Sequence, residues 1–319
     1  MNSIAMRDAF LRKIHKEMHY DQKIFFVSAD FGSPVLDDIR KDFPERFTNV
    51  GIAEQNLINI SAGLSLEGFT VFAYAIAPFI TMRCFEQLRV NLALLSQVRD
   101  LNVNLIGVGA GYSYVVSGPT HQCYEDLSLV RSLPNFKIMS PSDHVSAEGI
   151  FEYCLKNEGP KYLRFDAQVL PSLRDDNKEL VNNGFEVLKK DGSECIILAT
   201  GYMVHTALSV ASFLTEKEKS ISVIDLVNLT GFDSQRLLRE IGGFPLVVTL
   251  EEGFEGRGGL DSLIRTLLIK EGFKGELEGI GVRPGYSFEL GTRQELHEKV
   301  GIGLQAVSAR IINNLEGLN

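Results

Sequence analysis

The chain has 319 residues, of which 45% are apolar and 23% charged, with a formal net charge of -9 at pH 7. That is a globular composition, long enough for two domains that each bury a core, and it excludes a disordered or low-complexity chain. The acidic balance and the lack of a basic stripe exclude a nucleic-acid-binding surface, and no apolar run reaches the length of a membrane span.

Met1-Asn2-Ser3-Ile4-Ala5-Met6 lacks the apolar core of a secretory signal, so a cytoplasmic protein is expected. Cys84, Cys123, Cys154 and Cys195 are far apart, show no spacing that suggests zinc, and are expected to be reduced and buried. No metal ligand is expected in this chain.

In chain order, Asp8 to Met18 has apolar residues at helical spacing, and Ile24-Phe25-Phe26-Val27 reads as a strand. Asp30-Phe31-Gly32-Ser33-Pro34 follows at the strand's end, where open α/β sheets place ligands. Taken by itself, Asp30 reads as a turn or capping residue. Asn49-Val50-Gly51-Ile52-Ala53-Glu54 then leads into a helix rich in apolar residues, with Glu54 in its first turn. A carboxylate buried there needs a specific partner or must keep its proton.

Gly68 to Tyr74 reads as a strand, Pro78 to Leu95 as one long helix, and Leu105 to Val108 as a buried strand. The turn Gly109-Ala110-Gly111-Tyr112-Ser113 implies either close backbone approach to a ligand or simple tight turning. Ser117-Gly118-Pro119-Thr120-His121 is a loop before a helix ending near Arg131, and strand, helix and strand follow through Phe165. This alternation calls for a parallel sheet. The polar stretch Arg174-Asp175-Asp176-Asn177-Lys178 reads as a linker. After it Cys195 to Ala199, Ile221 to Leu226 and Leu246 to Leu250 read as strands between helices, with Glu251 and Glu252 given no chemistry. The expected fold class is therefore α/β in two domains, residues 1-175 and a smaller unit at 184-319.

Gly51-Ile52-Ala53-Glu54-Gln55-Asn56, Phe85-Glu86-Gln87-Leu88-Arg89, Gly118-Pro119-Thr120-His121-Gln122, Glu125-Asp126-Leu127 and Pro141-Ser142-Asp143 occur in the order found in transketolases. From about Ile4 to the C-terminus the chain resembles the C-terminal section of a thiamine diphosphate-dependent transketolase: a pyrimidine-binding domain followed by the family's C-terminal domain. The resemblance implies that Glu54 holds the cofactor's aminopyrimidine and promotes loss of the thiazolium proton. It implies cofactor contacts from Ile52 and Asp30, and an aromatic neighbour in Phe79, with Ile80 taking that place in the adjoining register and Tyr74 or Phe72 as further choices. His121 is implied to face the reacting carbons, with Ser117 and Arg164 beside the substrate.

The family's Gly-Asp-Gly motif, which with a downstream Asn holds the diphosphate and Mg2+, does not occur. The resemblance thus implies a separate diphosphate-binding N-terminal-section subunit, an α2β2 heterotetramer, and thiamine diphosphate and Mg2+ bound jointly with that partner. Gly109, Ser117 and Ala167 stand where the family carries polar or cationic substrate contacts, so a sugar other than an ordinary pentose phosphate is expected, unless the partner supplies the contacts. A deoxyxylulose-phosphate-synthase-like enzyme, a 2-oxoacid dehydrogenase β-type chain and a non-catalytic scaffold are the rival readings. The His121 motif disfavours the dehydrogenase, and Glu54 with His121 disfavours the scaffold.

Overall fold

A computed structural model describes residues 4–30 and 32–318, so Met1 to Ser3 and Phe31 of the segments quoted above lie outside the described residues. Helix α1 (Met6–Met18) buries Phe10, Leu11 and Ile14 and leads to strand β1 (Ile24–Ser28). Helix α2 (Pro34–Asp42) starts at Pro34, where the missing N–H costs nothing, behind a Ser33 cap. Strand β2 (Phe47–Asn49), helix α3 (Glu54–Leu66) and strand β3 (Thr70–Ile76) follow.

The next stretch departs from the single helix expected over 78–95. It is π-helical at Phe79–Arg83, makes one α turn, α4 (Phe85–Gln87), is π-helical again at Leu88–Leu94, and tightens to 3-10 at Leu95–Gln97. Thr81 Oγ1 donates to the Ala77 carbonyl at 2.7 Å and Cys84 Sγ to the Ile80 carbonyl at 2.9 Å. Such side-chain bonds compete with the backbone ladder and favour the wider turn.

Strand β4 (Asn102–Val108), helix α5 (Asp126–Arg131), strand β5 (Lys137–Met139), helix α6 (His144–Lys156) and strand β6 (Gly159–Phe165) complete a six-stranded parallel sheet ordered β2-β1-β3-β4-β6-β5. Arg174, expected in a solvated linker, is buried instead and pairs with Asp225, Asp143 and Glu186. Helix α7 (Lys178–Asn183) and strand β7 (Phe185–Lys189) follow it, neither foreseen in the sequence.

The second sheet adds strand β8 (Cys195–Ala199), helix α8 (Met203–Thr215), strand β9 (Ile221–Leu226), helix α9 (Ser234–Ile241), strand β10 (Leu246–Phe254), helix α10 (Leu260–Lys270), strand β11 (Glu276–Val282), helix α11 (Arg293–Val300) and helix α12 (Leu304–Gly317). Its order is β11-β10-β8-β9-β7, parallel except for β7 against β9. Among the described residues no helix is long and apolar enough to cross a membrane. All four cysteines are buried and free.

Backbone bonds join the sheets: Ser140 N donates to Val227 O at 2.8 Å and Leu229 N to Ile138 O at 2.9 Å. A buried ionic cluster reinforces them. Glu252 accepts from Arg293 at 2.9 and 2.6 Å and lies 2.6 Å from His297 Nε2, while Arg293 also reaches Asp166 at 2.6 Å. Burial alone would raise the Glu252 carboxyl, but Arg293 and His297 outweigh it and hold it far below the usual carboxylate range.

Its neighbour Glu251 has no such cation. Its Oε1 accepts the Asp261 N–H at 3.1 Å, whereas Oε2 is buried without a hydrogen-bond partner. Burial first, then the nearby Asp261 charge, push its carboxyl from 4.5 up to about 7. The folded state therefore binds this proton more tightly than the unfolded chain, so the contribution of Glu251 to stability is fully present below its unfolded value of 4.5 and is lost as pH rises to about 7. Glu251→Gln should remove the slope. Thermal melts are expected to show the variant more stable than wild type at pH 8, by about 1–3 kcal/mol, and nearly equal to it at pH 4.5.

Candidate active site

The loops that carry the expected site residues leave the C-terminal ends of the strands. Asp30, at φ 50°, ends β1, and it and Asn49 clamp each other: Asp30 N donates to Asn49 Oδ1 and Asn49 Nδ2 to Asp30 Oδ1, both at 3.0 Å. Asn49 Oδ1 also accepts from Gly51 N at 2.9 Å, which sets the left-handed turn at Gly51, φ 75°, ahead of α3. The clamp fixes the entry to α3, and Glu54 is its first residue. Asp30 thus has a turn-building role, and Asn49, which sequence reasoning passed over, is its necessary partner.

Glu54 is 2% exposed although it borders the surface. Its Oε2 accepts from Arg83 Nη1 at 2.7 Å, which supplies the specific partner that burial demands. The Arg83 guanidinium also lies 4.3 Å from the centroid of Phe79, and the Phe79 ring meets His121 edge-on at 5.3 Å. Glu54, Arg83, Phe79 and His121 therefore form one continuous line of contacts. Arg83 carries no signal in the sequence beyond standing two residues before the Phe85-Glu86-Gln87-Leu88-Arg89 motif.

The π turn decides the aromatic register. Ile80 is fully buried in the core, whereas Phe79 is only partly buried and faces Arg83 and His121. Ile52, two residues before Glu54, is 74% exposed. His121 is held by a turn in which its N–H and that of Gln122 donate to Gly118 O, and its Nδ1 lies 3.0 Å from Thr120 Oγ1. Ser117 is exposed on the same loop.

Two expected contacts are corrected. Arg164 is 2% exposed and committed to the interior, donating to Asp126 Oδ2 at 2.8 Å and to the Glu252 carbonyl at 3.2 Å. Breaking that pairing to reach a substrate would strand Asp126, so Arg164 is a structural cation. Tyr74 is fully buried among Phe26 and Phe72 and offers no open ring face. Phe72 lies in the same core cluster.

The glycine-rich turn also serves the fold. A Cβ on Gly111 would lie 2.2 Å from Glu252 Oε2, so the close approach is to the second domain's carboxylate. A Cβ on Gly109, φ 98°, would lie 2.0 Å from the Tyr114 ring. Tyr114 thus fills the space into which a side chain at position 109 would project, and its hydroxyl is buried without a hydrogen-bond partner.

A buried carboxylate beside a partly open aromatic ring fits the pyrimidine end of thiamine diphosphate. The diphosphate and its cation find no counterpart here: among the described residues the one group of carboxylates and imidazoles close enough to share a metal is His15, His19 and Asp42, which includes none of the site residues. A cleft of about 780 Å3 between residues 168–173 and helices α8 and α11 is likewise lined by other side chains. Along the line from Glu54 to His121 only Arg83 is exposed, with Phe79 and His121 partly buried and Glu54 beneath them.

Comparison with known proteins agrees with this geometry. Residues 2–172 match the family described as "Transketolase, pyrimidine binding domain" and residues 185–307 match "Transketolase, C-terminal domain". The chain is 30% identical to one of the subunits of the apulose-4-phosphate transketolase of Actinobacillus succinogenes, with 84% of each chain covered. It is 28% identical to a 6-deoxy-6-sulfo-D-fructose transketolase subunit of Clostridium sp., covering 92% of this chain and 90% of that one. Among solved structures it resembles a split-gene transketolase described as an inactive beta4 tetramer, with a TM-score of 0.85, 31% identity and 99% of each chain covered.

Gly109→Ala should be costly twice over, through the positive φ and through collision with Tyr114. A loss of about 1–3 kcal/mol is expected in denaturant unfolding. Adding Tyr114→Ala should recover the collision part, so that the pair is coupled by about 0.5 kcal/mol or more in a double-mutant cycle. Strict additivity would show that Tyr114 does not occupy that space.

Proposed function

The chain belongs to the transketolase family, and from that premise we propose that it is the pyrimidine-binding subunit of a two-chain, thiamine diphosphate-dependent enzyme that moves a two-carbon ketol unit from a ketose to an aldehyde or ketone. The observation that carries this reading is the unbroken contact line from Glu54 through Arg83 and Phe79 to His121. Residues 1-175 would carry the half-site, and residues 184-319 would serve packing and assembly. When bound, thiamine diphosphate supplies the carbon nucleophile and electron sink for C–C cleavage. Glu54 holds the pyrimidine through a carboxylate hydrogen bond, Phe79 gives it an apolar wall, and Ile52 and Asp30 border it. His121 moves protons at the substrate oxygens, with Ser117 at the same rim.

A diphosphate-binding partner subunit would bring the anion and Mg2+ ligands, in an α2β2 assembly in the cytoplasm. The relatives named as subunits, and the inactive tetramer made of β chains alone, support this division. Calorimetry on the purified chain should detect little thiamine diphosphate binding with Mg2+ present, and tight binding once the partner is added. In that complex Glu54→Gln should greatly slow deuterium exchange at the cofactor's reactive carbon while leaving the melting temperature near wild type. Tight binding by the chain alone, or wild-type exchange in the variant, would contradict the divided site.

The substrate is proposed to be a sugar other than the common pentose phosphates. Tyr114 fills the space at position 109, Arg164 is withdrawn into the core, and Ala167 offers no charge. One charge-assisted hydrogen bond contributes roughly 1.5–3 kcal/mol, so a single missing cation costs about tenfold or more in affinity for a terminal phosphate. The two named relatives act on apulose 4-phosphate and on a sulfonated sugar, as their names state. With the reconstituted enzyme, xylulose 5-phosphate and ribose 5-phosphate are expected to react at least about tenfold less efficiently than the best unusual sugar in a substrate panel. Equal efficiency would place the missing contacts on the partner.

A further inference from the structure

His15 and His19 stand one turn apart at the C-terminal end of α1, so both imidazoles leave the same face. Asp42, the last residue of α2, approaches them from a different element. One ligand atom from each lies within 4.8 Å of the others, and His15 Nε2 is 2.8 Å from Asp42 Oδ2. His15 pairs with Asp42, and the His19 ring packs edge-on against His15 at a centroid separation of 5.2 Å, which holds a second imidazole beside that pair.

The group is held by its surroundings. Phe43 packs edge-on against both imidazoles, at centroid separations of 5.6 and 4.8 Å. The Arg46 guanidinium lies 4.8 Å from the Phe43 centroid and donates to the carbonyls of Met18, Asp21 and Ile24. The end of α1, the turn after it and the Phe43 ring are thereby tied into one unit. Order in the rings lowers the cost of gathering them around an ion.

We propose that His15, His19 and Asp42 form a surface site for a late first-row divalent cation of the Zn2+ class, which staples α1 to α2. Two imidazole nitrogens and one carboxylate suit that class, whereas Mg2+ and Ca2+ take oxygen ligands almost throughout. In a tetrahedral site with bonds of about 2.0–2.1 Å the ligand atoms sit about 3.4 Å apart. His15 Nε2 and Asp42 Oδ2 are 2.8 Å apart and all three ligand atoms lie within 4.8 Å of one another, so adjustments of about an ångström bring them to tetrahedral spacing. The partial negative charge at the end of α1 favours a cation there. Water completes the coordination, because all three side chains reach the surface. The site is independent of the proposed cofactor and its Mg2+.

The test is calorimetric titration of the full chain, free of any polyhistidine tag, with Zn2+ and separately with Mg2+. One Zn2+ per chain is expected, with no comparable Mg2+ binding, together with a rise in melting temperature on adding Zn2+. Losing even a supporting contact weakens metal sites by about 10–100-fold, so His15→Ala and His19→Ala should each cost at least about tenfold in affinity, and Asp42→Asn should also weaken binding. His19 is exposed, so its variant should keep the wild-type circular dichroism spectrum and report binding without misfolding. The proposal is overturned if the wild-type chain takes up no stoichiometric Zn2+, if Mg2+ binds equally well, or if His19→Ala binds Zn2+ as wild type does.

Discussion

A carboxylate withdrawn from water must be compensated within the protein, and Glu252 is the one on which the two domains converge. Arg293 and His297 from α11 meet it, and Arg293 extends to Asp166 beyond the end of β6. The Gly109–Ser113 turn closes over it, with Tyr112 N donating to Glu252 Oε1 at 3.3 Å and Gly111 too near to bear a side chain. Ser113 then donates to Asp166 at 3.1 Å. The loop that goes on to Ser117 and His121 thus starts from an anchored base.

At the surface, Glu54 has a weaker arrangement. Its partner Arg83 is 44% exposed, so the guanidinium itself regains water when displaced, but the buried carboxylate must then find another hydrogen-bond donor. Arg83 nevertheless covers both features that a pyrimidine ring would use, the Glu54 carboxylate and the Phe79 face. It gives the separate chain a way to keep a buried carboxylate paired. Burial pushes the neighbouring Cys84 thiol up to about 12, with the Glu54 charge adding to the effect, so this thiol stays protonated at neutral pH.

Most of the alternation of strands and helices through Phe165, though not α2 or the three-residue β2, and Glu54 in a first helical turn, were legible because apolar periodicity and strand composition are local signals. What was not legible depends on partners far along the chain. Arg164 reads as an available cation until Asp126 is seen 2.8 Å away. The glycines at 109 and 111 read equally as a ligand approach or a plain tight turn until Tyr114 and Glu252 are seen on their near side. Strand β11 begins with Glu276 and carries Gly279 and Gly281 at the edge of its sheet, so it lacks the dense apolar run that marks a central strand. The π turns depend on hydroxyl and thiol bonds to preceding carbonyls, which no hydrophobic pattern encodes.

That same π segment explains why spacing left Phe79 and Ile80 as alternatives. A π turn takes up more residues than an α turn, so helical phase beyond it is shifted and counting from either side gives different answers. Burial resolves the matter, because Ile80 joins the core beneath α3 while Phe79 stays at the border with His121. Residues beside the site in sequence expose apolar side chains: Ile52 at 74% and Val116 at 82%. Isolated exposed residues of this kind need no explanation, but these two lie in the loops that lead to Glu54 and carry Ser117. A face that combines a provisionally paired carboxylate, an aromatic edge and uncovered apolar side chains is better suited to being covered than to standing in water. A divided cofactor site needs such a face, because the cover that dries the carboxylate would also bring the missing anion and metal ligands.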